Sequence, residues 1–199
     1  MSLVAVAVGT LVLALAAPAA ATPGAGNGNY MWYKPGTQAT NGTLRAYTGY
    51  YQGLSMTAGS GSTINWNNPC IPNAGRLPNG WYNTYNGHHV DHKPDLIRGR
   101  VWGLSDKAAP GCPARTGLFI HTEETTDNGQ YCPTSDDDPY CWENGDDYKS
   151  IGCVKISHPN NGFPNSVGSL HSWWHGGAGG ANSTYYSQIL YVGTSAPPL

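Results

Sequence analysis

Two side chains are best placed by type and context to do covalent chemistry. One is Cys153, in Ser150-Ile151-Gly152-Cys153-Val154-Lys155; the other is His121, which ends the apolar run Gly117-Leu118-Phe119-Ile120-His121. A free thiol, with a pKa of about 8.5, is mostly protonated at neutral pH, so a cysteine nucleophile needs a base nearby, and histidine is the natural one. When sulfur attacks a carbonyl, the developing oxyanion needs backbone N–H groups aimed at it. Gly152 lets the chain turn tightly just before Cys153 and leaves its own N–H and that of Cys153 open to a substrate oxygen. Ser150 heads the turn, where its hydroxyl either holds the turn or touches the substrate. An apolar run ending on a titratable residue is the form of a buried strand that delivers a side chain to a site at its end. The chemistry this pattern suits is attack on a peptide bond, with Cys153 as nucleophile and His121 as base.

The cysteine count adds weight. Five cysteines in an exported chain leave one unpaired. Cys132 and Cys141 enclose eight residues, and Cys70 and Cys112 sit beside prolines in loop-like stretches. Pairing Cys132 with Cys141 and Cys70 with Cys112 leaves Cys153 over, although four cysteines allow three connectivities. The alternative for Cys153 is a buried, inert structural thiol, which composition alone favours equally.

Export is read from residues 1–21. Leu3 to Ala17 is apolar and uncharged, and Pro18 and Ala19-Ala20-Ala21 follow as a small-residue cleavage pattern, so the segment is expected to be a signal peptide. Its start lacks Lys or Arg, and an uncleaved membrane anchor is the competing reading. Residues 22–42 form a linker and N-terminal segment, 43–193 the single domain, and 194–199 a flexible tail. After cleavage the protein is expected to be extracytoplasmic and monomeric, without stable membrane insertion.

The 199 residues include 27 glycines, 15 prolines, 13 tyrosines and 7 tryptophans, with only 11% charged, which describes a turn-rich β chain. Strands are expected at Thr43–Tyr47 and Gly53–Ala58, forming a hairpin, then at Gly80–Tyr85, Arg100–Leu104, Gly117–His121, Gly152–Ser157 and Ser187–Val192. No window beyond the first segment has a sustained helical period. The fold is expected to be mainly β, with seven or more short strands in a sandwich or barrel, long loops and little helix.

A net charge of −2 offers no uniform field for polyanions, so nucleic acid is not expected as a partner. Nine of the 12 acidic residues lie between Glu123 and Asp147, with no Lys or Arg among them. This segment reads as a solvated loop, with a lid for a cationic substrate group, or a Ca²⁺ loop on Asp136-Asp137-Asp138 that lacks the spaced EF-hand pattern, as the sharper alternatives. His88, His89, Asp91 and His92 cluster, but Gly87 and Pro94 argue against the helix that a metal site at this spacing needs; no metal or cofactor is expected. Trp173 and Trp174, in His171-Ser172-Trp173-Trp174-His175, read either as a substrate-facing platform or as packing beneath a loop.

Together, Gly117–His121 and Ser150–Lys155 resemble the catalytic core of L,D-transpeptidases, in which a strand-borne histidine precedes a Ser/Thr-His-Gly-Cys-Val/Ile-Arg motif. Thr43 to Gly61 is similar to that family's opening hairpin, and Gly75 to Tyr82 to its Thr-Pro-x-Gly-x-Phe/Tyr segment. The resemblance implies a β-sandwich-like catalytic domain and a thioacyl-enzyme on Cys153. It also implies proton transfer by His121, oxyanion donors from Gly152 and Cys153, and peptidoglycan stem peptides as substrate. Three features depart from the pattern. Ile151 stands where most members have histidine, and Lys155 replaces the arginine that can grip a carboxylate bidentately. The 32 positions from His121 to Cys153 exceed the usual gap. Both Ile151 and Lys155 fall where substrate would be held. The alternative function is a secreted cell-wall or glycan-binding module on the same scaffold that has lost activity.

Overall fold

Every strand alternates one side chain into a shared core and the next away from it, and the strands connect into a ring. The computed structural model describes residues 29–49, 51–62, 64–85, 98–122, 150, 152–156, 167–174 and 189–197. Eight strands are formed: β1 (Tyr30–Lys34), β2 (Gly42–Thr48), β3 (Tyr51–Gly59), β4 (Gly80–Tyr85), β5 (Arg98–Leu104), β6 (Leu118–Thr122), β7 (Val154–Ile156) and β8 (Ile189–Val192). They close into a barrel in the order β1-β2-β3-β7-β6-β5-β4-β8. Two neighbouring pairs are parallel, β1 with β8 and β6 with β7, and the rest are antiparallel.

The mainly β reading holds, but the sandwich does not. β8 pairs with both β1 and β4, so the sheet has no free edge and its strands enclose one core instead of facing each other as two layers. Two elements were not predicted. Tyr30–Lys34 lies in the stretch read as linker and N-terminal segment, yet forms β1. A short helix, α1 (Val167–Ser172), buries Val167 and Leu170 in the core.

The interior is filled rather than hollow. Met31, Tyr33, Leu44, Met56, Tyr82, Trp102, Ile120, Val154, Ile156 and Leu190 are among its members, and most are fully buried. Residues between them face outward, and β1, β4 and β8 carry a second, aromatic cluster on that side. There Tyr30 stacks on Tyr47 at 4.6 Å, and Trp81 contacts Tyr191 at 5.0 Å. Cys153 and His121 follow the same rule from the other wall. Val154 and Ile120 point inward, so the residues adjoining them in sequence face out.

Two long loops meet outside this wall, one after β3 (residues 60–79) and one after β5 (residues 105–117). The disulfide Cys70–Cys112 joins them, as paired from sequence, across a separation of 42 residues with Cα atoms 5.0 Å apart. Restricting a loop of that length in the unfolded chain is worth about 4 kcal/mol in the chain-entropy account. Cys132 and Cys141 lie outside the described residues, as do the segment 1–21, His88, His89, Asp91 and His92, and the acidic segment. No described helix is long and apolar enough to cross a membrane.

Candidate functional site

Strand register brings the predicted pair together. In the parallel β6–β7 ladder Ile120 is level with Val154 and His121 with Lys155, which sets Cys153 one step earlier on the outward face. His121 on β6 therefore lies diagonal to Cys153, the residue that leads into β7. Cys153 is not in a disulfide and is buried, as is His121.

The turn before Cys153 is built by Ser150. Its backbone N–H donates to Gly61 O at 3.1 Å. Its hydroxyl donates to the Cys153 carbonyl at 2.5 Å and accepts from the N–H groups of Gly61 and Gly152, each at 3.3 Å. One hydroxyl thus spends its donor and both acceptor positions on the turn. Of the two roles open to Ser150 from sequence, these bonds describe holding the turn. The Gly152 N–H, expected to face a substrate oxygen, is engaged by Ser150 instead. Gly152 itself has φ +113°, a conformation that L side chains rarely adopt. The Cys153 thiol lies 4.0 Å from Gly117 O.

His121 is set up as a neutral imidazole. Its Nδ1 is 3.3 Å from the Thr122 carbonyl, which can only accept, so Nδ1 carries the proton and Nε2 is the basic nitrogen. Burial, and then the charge of Lys155 directly across the ladder, push its pKa down to about 4; the Thr122 bond opposes this only in part. Lys155 is itself buried on the outward face between His121 and Gly59. Ile151 lies outside the described residues.

Trp173 and Trp174 pack in and against the barrel core. Trp173 belongs to the core cluster, donates its indole N–H to Thr48 Oγ1 at 3.0 Å, and lies beside Gly53. Trp174 packs against Trp102, with ring centres 6.2 Å apart. Gly53 and Gly61, which partners the Ser150 turn, are eight residues apart in sequence, roughly 26 Å if the chain between them were fully extended. The tryptophans close the hairpin end of the barrel core.

One residue of the site was not found from sequence. Arg115 reaches it from the loop after β5 and is 7% exposed. Its backbone pairs with Lys107, and its Nη1 donates to Gly75 O at 2.7 Å and Arg76 O at 3.0 Å. Nη2 is packed so tightly over Gly152 that a Cβ there would be 1.7 Å away. An isolated arginine in a Pro/Gly-rich loop has no periodicity or spacing that would mark it. The only signal is its position two residues before the strand that carries His121.

No protein-family model matches the chain, and no curated protein matches it in sequence. Among solved structures it is similar to the crystal structure of the L,D-transpeptidase (residues 123–326) from Xylanimonas cellulosilytica DSM 15894. The two share 17% identity with a TM-score of 0.41, over 86% of this chain and 63% of that one.

Proposed function

We propose that the protein is an extracytoplasmic cysteine acyltransferase that acts on peptidoglycan stem peptides by L,D-transpeptidation or L,D-carboxypeptidation. The observation that carries this reading is the register of β6 and β7, which sets His121 diagonal to Cys153 with Nε2 as its basic nitrogen. The Ser150–Lys155 motif and its resemblance to the L,D-transpeptidase core supply the substrate class. The disulfide Cys70–Cys112 accords with export through residues 1–21 to an oxidising compartment.

In this reading the Cys153 sulfur attacks the carbonyl of an amide in the stem peptide. The C–N bond breaks, the departing amine takes a proton from water, and a thioester remains on Cys153. His121 Nε2 then removes a proton from the incoming amine or water, which displaces the sulfur and restores Cys153, and His121 passes that proton on to bulk water.

The test is profiling of muropeptides after incubation of sacculi with the purified protein. New cross-links between diamino acid residues are expected for transpeptidation, and stems shortened by one residue for carboxypeptidation. An unchanged profile, accompanied by retention of the protein on the sacculi, would replace this reading with the binding module.

A further inference from the structure

Arg115 has no part in the acyl-transfer scheme above, yet its charge is fixed against the nucleophile's own turn. Its Nη1 is held by the Gly75 and Arg76 carbonyls, and its Nη2 lies against Gly152, the residue before Cys153. Burial lowers the Arg115 pKa, and the interactions that oppose this come from Cys153 first and Tyr82 second. Both groups are neutral when protonated and anionic when not. Tyr82 is held protonated, because burial pushes its phenol far above the ordinary tyrosine value, and it donates its O–H to Pro78 O at 2.6 Å. With Arg115 Nη2 packed against Gly152, the adjoining residue, Cys153 is the group of the two that can carry a negative charge near neutral pH.

The other titratable groups on this wall point the same way. His121 on β6 is held neutral by burial and by Lys155, so at physiological pH it is not the cation of a thiolate–imidazolium pair. Lys155 on β7 stands level with His121, two residues beyond Cys153. Arg115 keeps its charge throughout the working range and is held by its fork and its backbone bridge to Lys107.

We propose that Arg115 is the fixed cation that holds Cys153 as a thiolate in the resting protein. Ionisation breaks the S–H bond and releases the proton to bulk water; neither Arg115 nor His121 keeps it. His121 is thereby left unprotonated and ready to deprotonate the acceptor. Arg115 is a positioning residue, acting on the substrate only through Cys153. The inference rests on the reading above in taking Cys153 as the nucleophile, but the ionisation is measurable without substrate.

The experiment is a pH titration of thiolate absorbance in the full chain, with Cys153→Ser as the blank. The midpoint is expected about one pH unit or more below the ordinary thiol value of about 8.5. Arg115→Met should raise it by at least about one unit, which is tenfold in thiolate fraction on the acid side of the midpoint. Arg115→Lys, which keeps the charge but loses the fork, should titrate closer to wild type than to Arg115→Met. A wild-type midpoint at or above about 8.5 overturns the proposal, and this needs no variant to fold. An Arg115→Lys midpoint nearer to that of Arg115→Met overturns it in favour of scaffolding. A low midpoint without muropeptide turnover keeps the ion pair and removes the peptidoglycan reading; turnover with an ordinary midpoint does the reverse.

Discussion

Substituting Gly152 by alanine is expected to destabilise the protein by more than about 4 kcal/mol and to lower its thermal midpoint by roughly 10 °C. Two costs add. The backbone at φ +113° is strained for any residue with a Cβ, by about 1–3 kcal/mol. The new methyl group would also sit 1.7 Å from Arg115 Nη2 and 2.9 Å from Gly75 O. A flexible side chain could swing away, but this guanidinium is held by two carbonyls, so relief breaks buried hydrogen bonds or moves the turn that presents Cys153. Thermal melts of Gly152→Ala, Arg115→Ala and the double variant separate the two costs. If the clash dominates, the double variant is more stable than the sum of the single effects allows. Strict additivity would leave backbone strain as the whole cause.

Replacing His121 by glutamine is expected to reduce muropeptide turnover by about 10²- to 10⁴-fold, the range for loss of a positioned general base. The same variant should change how stability depends on pH. The imidazole pKa is about 4 in the folded protein, below the ordinary 6.5 of the unfolded chain. Between these values the unfolded state binds more protons, so stability rises with pH. The contribution is fully present above about 6.5 and is lost as pH falls toward about 4, amounting to roughly 3 kcal/mol. Denaturation at stepped pH should show this slope in wild type and a flatter one in His121→Gln. An unchanged slope would mean that His121 protonates freely in the folded state, and the account of its burial would fail.

The strands that carry chemistry were readable because their patterns are local. Gly117–His121 and Gly152–Ser157 announced themselves by apolar runs beside glycine, and seven of the eight strands overlap an expected run, with partners specified only for the β2–β3 hairpin. β8 was also anticipated, but its two-sided pairing was not. Closure depends on contacts between residues distant in sequence, as in the bond from Trp32 Nε1 to Gly193 O across 161 positions, and alternation alone cannot separate a barrel from a sandwich. β1 was hidden by the polar Gly/Asn stretch before it and by its burial on both faces, which erases the period of two. Within the site, cysteine arithmetic isolated Cys153 and paired Cys70 with Cys112. Arg115 stayed invisible, because what makes it part of the site is the folding of two loops onto each other.

The way the ring closes also bears on when this protein can exist as a folded object. β8 lies between β4 and β1, parallel to the latter, so the gap in the wall is filled only once residues 189–192 are available. Contacts of such long range impose their entropic cost before they return any stabilisation, which makes folding slow compared with helical domains of similar size. A nascent or translocating chain that has not yet delivered β8 carries an open sheet with two unpaired edges. Refolding followed by stopped-flow fluorescence should therefore show formation of the Trp32–Tyr191 wall in the slowest phase, and removal of residues 189–199 should eliminate that phase together with the cooperative thermal transition.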